Sequence, residues 1–92
     1  MLLYAEIEFI LYDCHSLKEK RSILLRLKNR LNKNLNLAIA EIDHQNQWQR
    51  AAFAIVTVSD AKVINEKVIQ QALALMDSFP EIERTTTDVE ER

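Results

Sequence analysis

Apolar and polar positions along this chain change period several times, and the changes mark its elements. From Leu2 to Tyr12 they alternate. Leu3, Ala5, Ile7, Phe9 and Leu11 fall on one face, and Tyr4, Glu6, Glu8 and Ile10 on the other. A period of two is that of a strand, and its uniformly apolar face belongs against a core. The mixed face predicts a sheet surface that is partly exposed. Asp13-Cys14-His15 makes a turn, after which the period becomes 3.6. Leu17, Ile23, Leu24, Leu27, Leu31 and Leu35 then share one helical stripe. Ser16-Leu17-Lys18-Glu19 has the S-x-x-E form of a capping box, so the helix starts at Leu17, and Asn32-Lys33-Asn34 supplies its stop.

Alternation returns twice more, over Leu35–Ile42 and Arg50–Ser59, joined by Asp43–Gln49. Leu37, Ile39 and Glu41 alternate with Ala38, Ala40 and Ile42; Ala52, Ala54, Val56 and Val58 alternate with Phe53, Ile55 and Thr57. Both faces of both strands are fairly apolar, so the pattern leaves open which face meets the helices. Ser59-Asp60 is expected to cap a second helix, with Ile64, Val68, Ala72, Leu75, Met76 and Phe79 inward and Phe79-Pro80 as its end. The polar segment Glu81–Arg92, with Ile82, Val89 and a Thr85–Thr87 run, reads as an edge strand whose last residues fray.

The order β-α-β-β-α-β over residues 1–92 predicts a single domain of the α+β class. Its architecture is a ferredoxin-like βαββαβ sandwich, a four-stranded antiparallel sheet with two helices on one face. The other sheet face stays open and carries Tyr4, Ile10 and apolar residues of the middle strands, so a homodimer is expected. Trp48, Gln49 and Arg50 join Tyr4 and Ile10 as interface candidates, because Trp and Arg are enriched at interface hot spots.

Composition removes several alternatives. Ninety-two residues, 48% of them apolar, support one core. Gly is absent, which excludes Gly-rich phosphate loops and leaves the turns to Asn, Asp, Ser and His. The single Cys14 cannot form an internal disulfide and fits a reducing compartment. No apolar run approaches a membrane span, and Glu6 and Glu8 interrupt an N-terminal segment without a basic leader. The expected location is cytoplasmic, with no membrane partner.

A net charge of −2 conceals an asymmetry. Seven of the twelve basic residues lie in the first helix, against the single acid Glu19. Lys18, Arg26, Arg30 and Lys33 fall opposite the apolar stripe, Arg21 and Lys28 along its border, and Lys20 close to the stripe itself. An outward row of cations can contact phosphates, with affinity that falls with salt; the ordinary alternative is a solvated face. Lys18, Lys20 and Arg21 in the first turn oppose the helix dipole, which argues for a purpose. Lys18, Arg21, Arg26, Lys28, Arg30 and Lys33 are therefore the nucleic-acid-binding candidates. Sheet-stacking RNA recognition needs aromatics and Gly in the central strands, whereas the third strand has only Phe53. A helix-face mode is the expectation.

The remaining chemistry is sparse. Glu41, Asp43 and His44, with His15 elsewhere, are suitable ligand types, but two His in different loops without fixed spacing do not make a metal motif. Turn chemistry and pairing of Glu41 or Asp43 with Arg50 across the hairpin account for them. Cys14 adjacent to His15 is poorly placed for nucleophile and base, and no acid partner is evident. No metal, cofactor, catalytic residue or enzymatic activity is expected.

Ser16-Leu17-Lys18-Glu19-Lys20-Arg21, Ala40-Glu41-Ile42-Asp43-His44-Gln45 and Trp48-Gln49-Arg50-Ala51 together resemble the YlxP-like family of small bacterial proteins, a domain of unknown function. The resemblance spans nearly the whole chain. It implies the ferredoxin-like fold and carries no catalytic residues. Genes of the family often lie beside those for translation initiation and ribosome maturation factors, which implies a ribosome-linked role. The resulting expectation is an accessory factor that binds rRNA or a ribosomal subunit through the basic helix. The competing expectation is a homodimeric interaction or regulatory module without nucleic-acid binding.

Overall fold

In the computed structural model, which describes residues 1–92, the elements are β1 (Leu2–Leu11), α1 (Leu17–Asn34), β2 (Ala38–Asp43), β3 (Arg50–Val58), α2 (Lys62–Asp77) and β4 (Ile82–Glu91). The strands form one antiparallel sheet in the order β2-β3-β1-β4. The fold is the ferredoxin-like sandwich that the periodicity implies.

Register settles which face of the middle strands is covered. Leu3, Ala5, Ile7 and Phe9 of β1 stand opposite Thr57, Ile55, Phe53 and Ala51 of β3. All eight are buried. Ile39 of β2 continues this face opposite Ile55. Ile23, Leu24, Leu27 and Leu31 of α1 and Ile69, Ala72, Leu73 and Met76 of α2 complete one core. Phe9 and Phe53 meet edge to face at its centre, with ring centroids 5.0 Å apart. Such a pair contributes about 1 kcal/mol beyond its buried area.

The inward row of α2 keeps Ala72, Met76 and Phe79 as the apolar pattern selects, with Leu75 packed against the core, and departs from it in the first turns. It runs Asn65, Ile69, Ala72, Leu73, Met76, while Ile64 is exposed and Val68 half-buried. Asn65 is the reason. Its amide donates to the Met1 carbonyl at 3.3 Å, and its Oδ1 lies 2.8 Å from the Ser59 hydroxyl. A buried amide with its partners supplied is tolerated, so a polar residue takes an inward position. Ser59 is thereby diverted from capping. The N-cap is Ala61, with no side-chain bond, and Ser59 Oγ accepts from the Ala61 amide instead. Ser16 does cap α1, accepting from the Glu19 amide at 3.0 Å.

Two strand boundaries also differ. β2 begins at Ala38, because Leu35 serves as the extended C-cap of α1 and Thr57 Oγ1 donates to the Asn36 carbonyl. β4 does not fray. Leu2 and Arg92 exchange both backbone hydrogen bonds, which closes the ladder at the chain end. A bulge leaves Thr85 unpaired beside Glu8, and its hydroxyl donates to the Glu8 carbonyl.

Candidate nucleic-acid interface

The capped start and Leu-rich stripe of α1 fix how its cations are displayed. Lys18, Arg21, Arg26, Arg30 and Lys33 are exposed, whereas Lys28 is half-buried with its ammonium 5.7 Å from the Phe53 ring centroid. Arg26 pairs with Glu81 at 2.6 Å, and both Arg26 and Arg30 lie over Phe79 at 5.9 and 5.3 Å. The hydrogen bond from Arg26 holds the Glu81 carboxyl below its ordinary range. Lys18, Arg21, Arg30 and Lys33 make no ion pair. The helix thus presents four cations without a carboxylate partner, one of them over Phe79, and a fifth held by the half-buried Glu81.

Lys20 leaves that row, as its position beside the stripe foreshadows. It is 2% exposed. Its ammonium donates to the His44 carbonyl at 2.6 Å and lies 3.2 Å from Glu41 Oε2. Glu41 sits opposite Phe53, on the helix-facing side of β2, and needs a countercharge there. Its Oε2 has the charge contact without hydrogen-bond geometry. The expected pairing of Glu41 or Asp43 with Arg50 is not formed. Arg50 reaches Glu8 at 3.3 Å instead, and Asp43 accepts from the His44 amide at 2.7 Å. Glu41, in register with Phe53, faces the helices while Arg50 lies on the open face, and a bulge between Glu41 and Asp43 shifts Asp43 to stand opposite Ala52.

His44 occupies the left-handed region, with φ at 62°, and its Nε2 lies 2.7 Å from Glu8 Oε1. With Glu41 turned to the helices and His44 to Glu8, no three His, Cys, Asp or Glu residues converge as a cation site. The Cys14 thiol is buried and contacts the Ser16 carbonyl at 3.5 Å.

The interface candidates do not share one surface. Tyr4 and Ile10 lie on the open sheet face, six residues apart on β1, about 20 Å along the strand. The Arg92 guanidinium covers the Tyr4 ring at 4.2 Å. Arg50 stands opposite Ile10, but Trp48 and Gln49 precede β3 and lie off the sheet. With His15, Asn46, Gln47 and Arg50 they line an open cleft of about 500 Å³. Sequence reasoning singled out Trp48 but missed His15, Asn46 and Gln47 as its neighbours. The polar run on both sides of Trp48 was the available signal.

The open sheet face has two halves. Ala38, Ala40, Ala54, Val56 and Val58 make an apolar half on β2 and β3. Around Tyr4 and Ile10, the charged residues Glu6, Glu8, Asp43, Glu83, Asp88 and Glu90 make the other half acidic, against Arg50 and Arg92. No helix of the structure is long and apolar enough to cross a membrane.

Comparison with known proteins bears on fold and kinship. Residues 2–89 match the family model described as "Protein of unknown function (DUF503)". The "Uncharacterized protein YlxP" of Bacillus subtilis (strain 168) is 50% identical over 90 residues, covering 98% of each chain. Among solved structures, the de novo designed protein Foldit4 aligns with a TM-score of 0.64 at 10% identity, over 100% of this chain and 99% of that one. SnoaB, a cofactor-independent oxygenase from Streptomyces nogalater, aligns at 0.65 and 9% identity, over 99% of this chain and 92% of that one. At such identities these two likenesses concern the fold alone.

Proposed function

The chain belongs to the DUF503 family, and on that premise we propose that it is an accessory factor that docks on RNA through α1, with ribosomal RNA or a ribosomal subunit as its partner. The observation that carries this reading is the outward face of α1, where Lys18, Arg21, Arg30 and Lys33 are exposed and unpaired. Four to five phosphate contacts give a logarithmic salt slope of about −3 to −4, so affinity falls roughly a hundredfold between 50 and 200 mM salt. The acidic half of the open sheet face repels phosphate, which favours the helix side over the sheet. The test is co-sedimentation with ribosomal subunits and with free rRNA across a salt series, for the natural chain and for a Lys18→Glu, Arg21→Glu, Arg30→Glu, Lys33→Glu variant. Binding that weakens with salt and disappears in the variant supports the reading. Binding that is indifferent to both removes it.

A second reading has its own observation. Val58 is 57% exposed beside exposed Ala38 and Ala40, an apolar strip on an open sheet. Such a strip fits a homodimer contact. Sedimentation equilibrium at high concentration distinguishes a dimer from a monomer. The two readings are compatible, since a dimer carries two basic helices and gains avidity.

A further inference from the structure

We infer that the cleft beneath Trp48 takes an unpaired nucleobase of the RNA strand whose phosphates lie along α1. The inference rests on the RNA-docking reading and adds a second kind of contact to it. Trp48 is the chain's only Trp and is 50% exposed. Every other residue of the cleft is polar: His15, Asn46, Gln47, Gln49 and Arg50. A Trp that serves stability packs among aliphatic side chains, and one that anchors a protein interface is ringed by groups that exclude water. On its cleft side this ring has neither neighbourhood. A flat heteroaromatic ring satisfies it, because stacking uses the indole face while carboxamides offer donors and acceptors to a base edge. No carboxylate lines the cleft, so a phosphodiester entering it meets no like charge there.

The cleft is held in shape from both sides. Gln49 donates its side-chain amide to the Cys14 carbonyl at 3.3 Å, and its own carbonyl accepts from Leu11 N at 3.0 Å. Gln47 N donates to the His44 carbonyl at 3.0 Å, the same carbonyl that receives Lys20. The turn before α1 and the loop before β3 are thus tied together, which brings His15 and Trp48 to one cleft. His15 immediately precedes the Ser16 cap, and its amide donates to Glu19 at 3.3 Å, so a strand leaving the cleft along α1 passes one engaged carboxylate among Lys18 and Arg21. Backbone cations beside an aromatic platform are the two parts of a single-strand site.

Trp48 reports on its own occupancy, since no other Trp contributes emission. The experiment titrates the natural chain at low salt with a short oligoadenylate RNA, with the same strand annealed to oligouridylate, and with adenosine monophosphate. Expected is quenching of Trp48 emission by the single strand alone. Labelled-strand anisotropy should then give Trp48→Ala a loss of about fivefold to 150-fold in affinity, and Trp48→Phe a loss of no more than about threefold. Strand binding with unchanged emission and an unaffected Trp48→Ala variant overturns the stacking while α1 docking survives. Quenching by the duplex, or equally by the mononucleotide, overturns the assignment to an unpaired base in a strand. Absence of binding by either readout overturns both this inference and the RNA-docking reading.

Discussion

Replacing Lys20 by Met tests whether the base of the cleft is held by a buried charge. The change keeps most of the stem's apolar volume and deletes the ammonium. The Glu41 carboxylate then loses its countercharge, and the His44 carbonyl keeps only the Gln47 amide as donor. Breaking a fully buried pair costs about 3–5 kcal/mol, because the survivor stays buried and charged. The Glu41 side chain is 21% exposed, so water relieves part of that cost, and about 2–3 kcal/mol is expected. With a urea slope of about 1 kcal/mol/M for a domain this size, the midpoint falls by about 2–3 M. Adding Glu41→Gln removes the orphaned charge and should recover much of the loss, a coupling of about 1–3 kcal/mol in a double-mutant cycle. The clamp also predicts a local effect. Amide exchange at Gln47, whose N–H donates to the freed His44 carbonyl, should accelerate more than exchange in β1. A Lys20→Met loss below about 0.5 kcal/mol, or additive single and double variants, would refute the reasoning.

Three other outcomes follow from the same geometry. Ser16→Ala should destabilise by about 1 kcal/mol and Ser16→Gly by only a few tenths; equal losses in urea melts would mean that the hydroxyl bond to Glu19 N is not what starts α1. Arg84 grips Asp77 with two hydrogen bonds of 2.7 and 2.8 Å and holds its carboxyl below the ordinary range, so the pair stabilises above the unfolded carboxylate pKa near 4 and its contribution is lost as pH falls through the lower folded value. The gap between the natural chain and Arg84→Met should therefore be widest near neutrality, under about 1 kcal/mol because Asp77 is half exposed, and close in acid; a gap that opens in acid contradicts the assignment. Val58→Glu should abolish any dimer formed through the open sheet with little effect on the monomer's stability, and a dimer that survives it uses another surface.

How legible each element was depended on whether apolarity alone decided its position. The core faces of β1 and α1 were readable because their apolar rows are complete and Ser16 marks the helix start. The face of α2 was readable in its second half, through Ala72, Met76 and Phe79, and not in its first turns. Its inward row opens with Asn65, and only the hydrogen bonds to Ser59 and Met1 make that burial affordable. The facing of β2 and β3 was ambiguous in the pattern because Ala and Val occupy both sides; it is decided by register against β1, a non-local fact. The cations of α1 were legible as a set, and their spacing set Lys20 apart. Its partner was not legible, since Glu41 reads as a surface residue until the register of β2 against β3 puts it opposite Phe53, on the helix side. Likewise Trp48 was conspicuous, while its neighbour His15 lies 33 residues away in sequence and meets it only through the Gln49 bridge.

The net charge of −2 is a poor guide to what this surface attracts. At physiological ionic strength exposed charges are screened beyond about 8 Å, and the molecule measures 17 Å across its shortest axis. The basic face of α1 and the acidic half of the open sheet lie on opposite sides of that thickness, so neither cancels the other in the layer a ligand feels. A polyanion near α1 meets Lys18, Arg21, Arg30 and Lys33 against exposed Glu19 and a Glu81 already engaged by Arg26. A polyanion near the sheet meets six carboxylates and two Arg, both of which already contact carboxylates. The segregation does more than permit binding on one side; it orients the molecule. An RNA strand held on α1 leaves the apolar strip of β2 and β3 facing away, free for a second copy of the chain. In this arrangement the two readings of the surface require different faces and do not compete. Trp48 shares its cleft with His15, next to the first turn of α1, so the proposed contact with an unpaired base also draws on the helix side and leaves the apolar strip free.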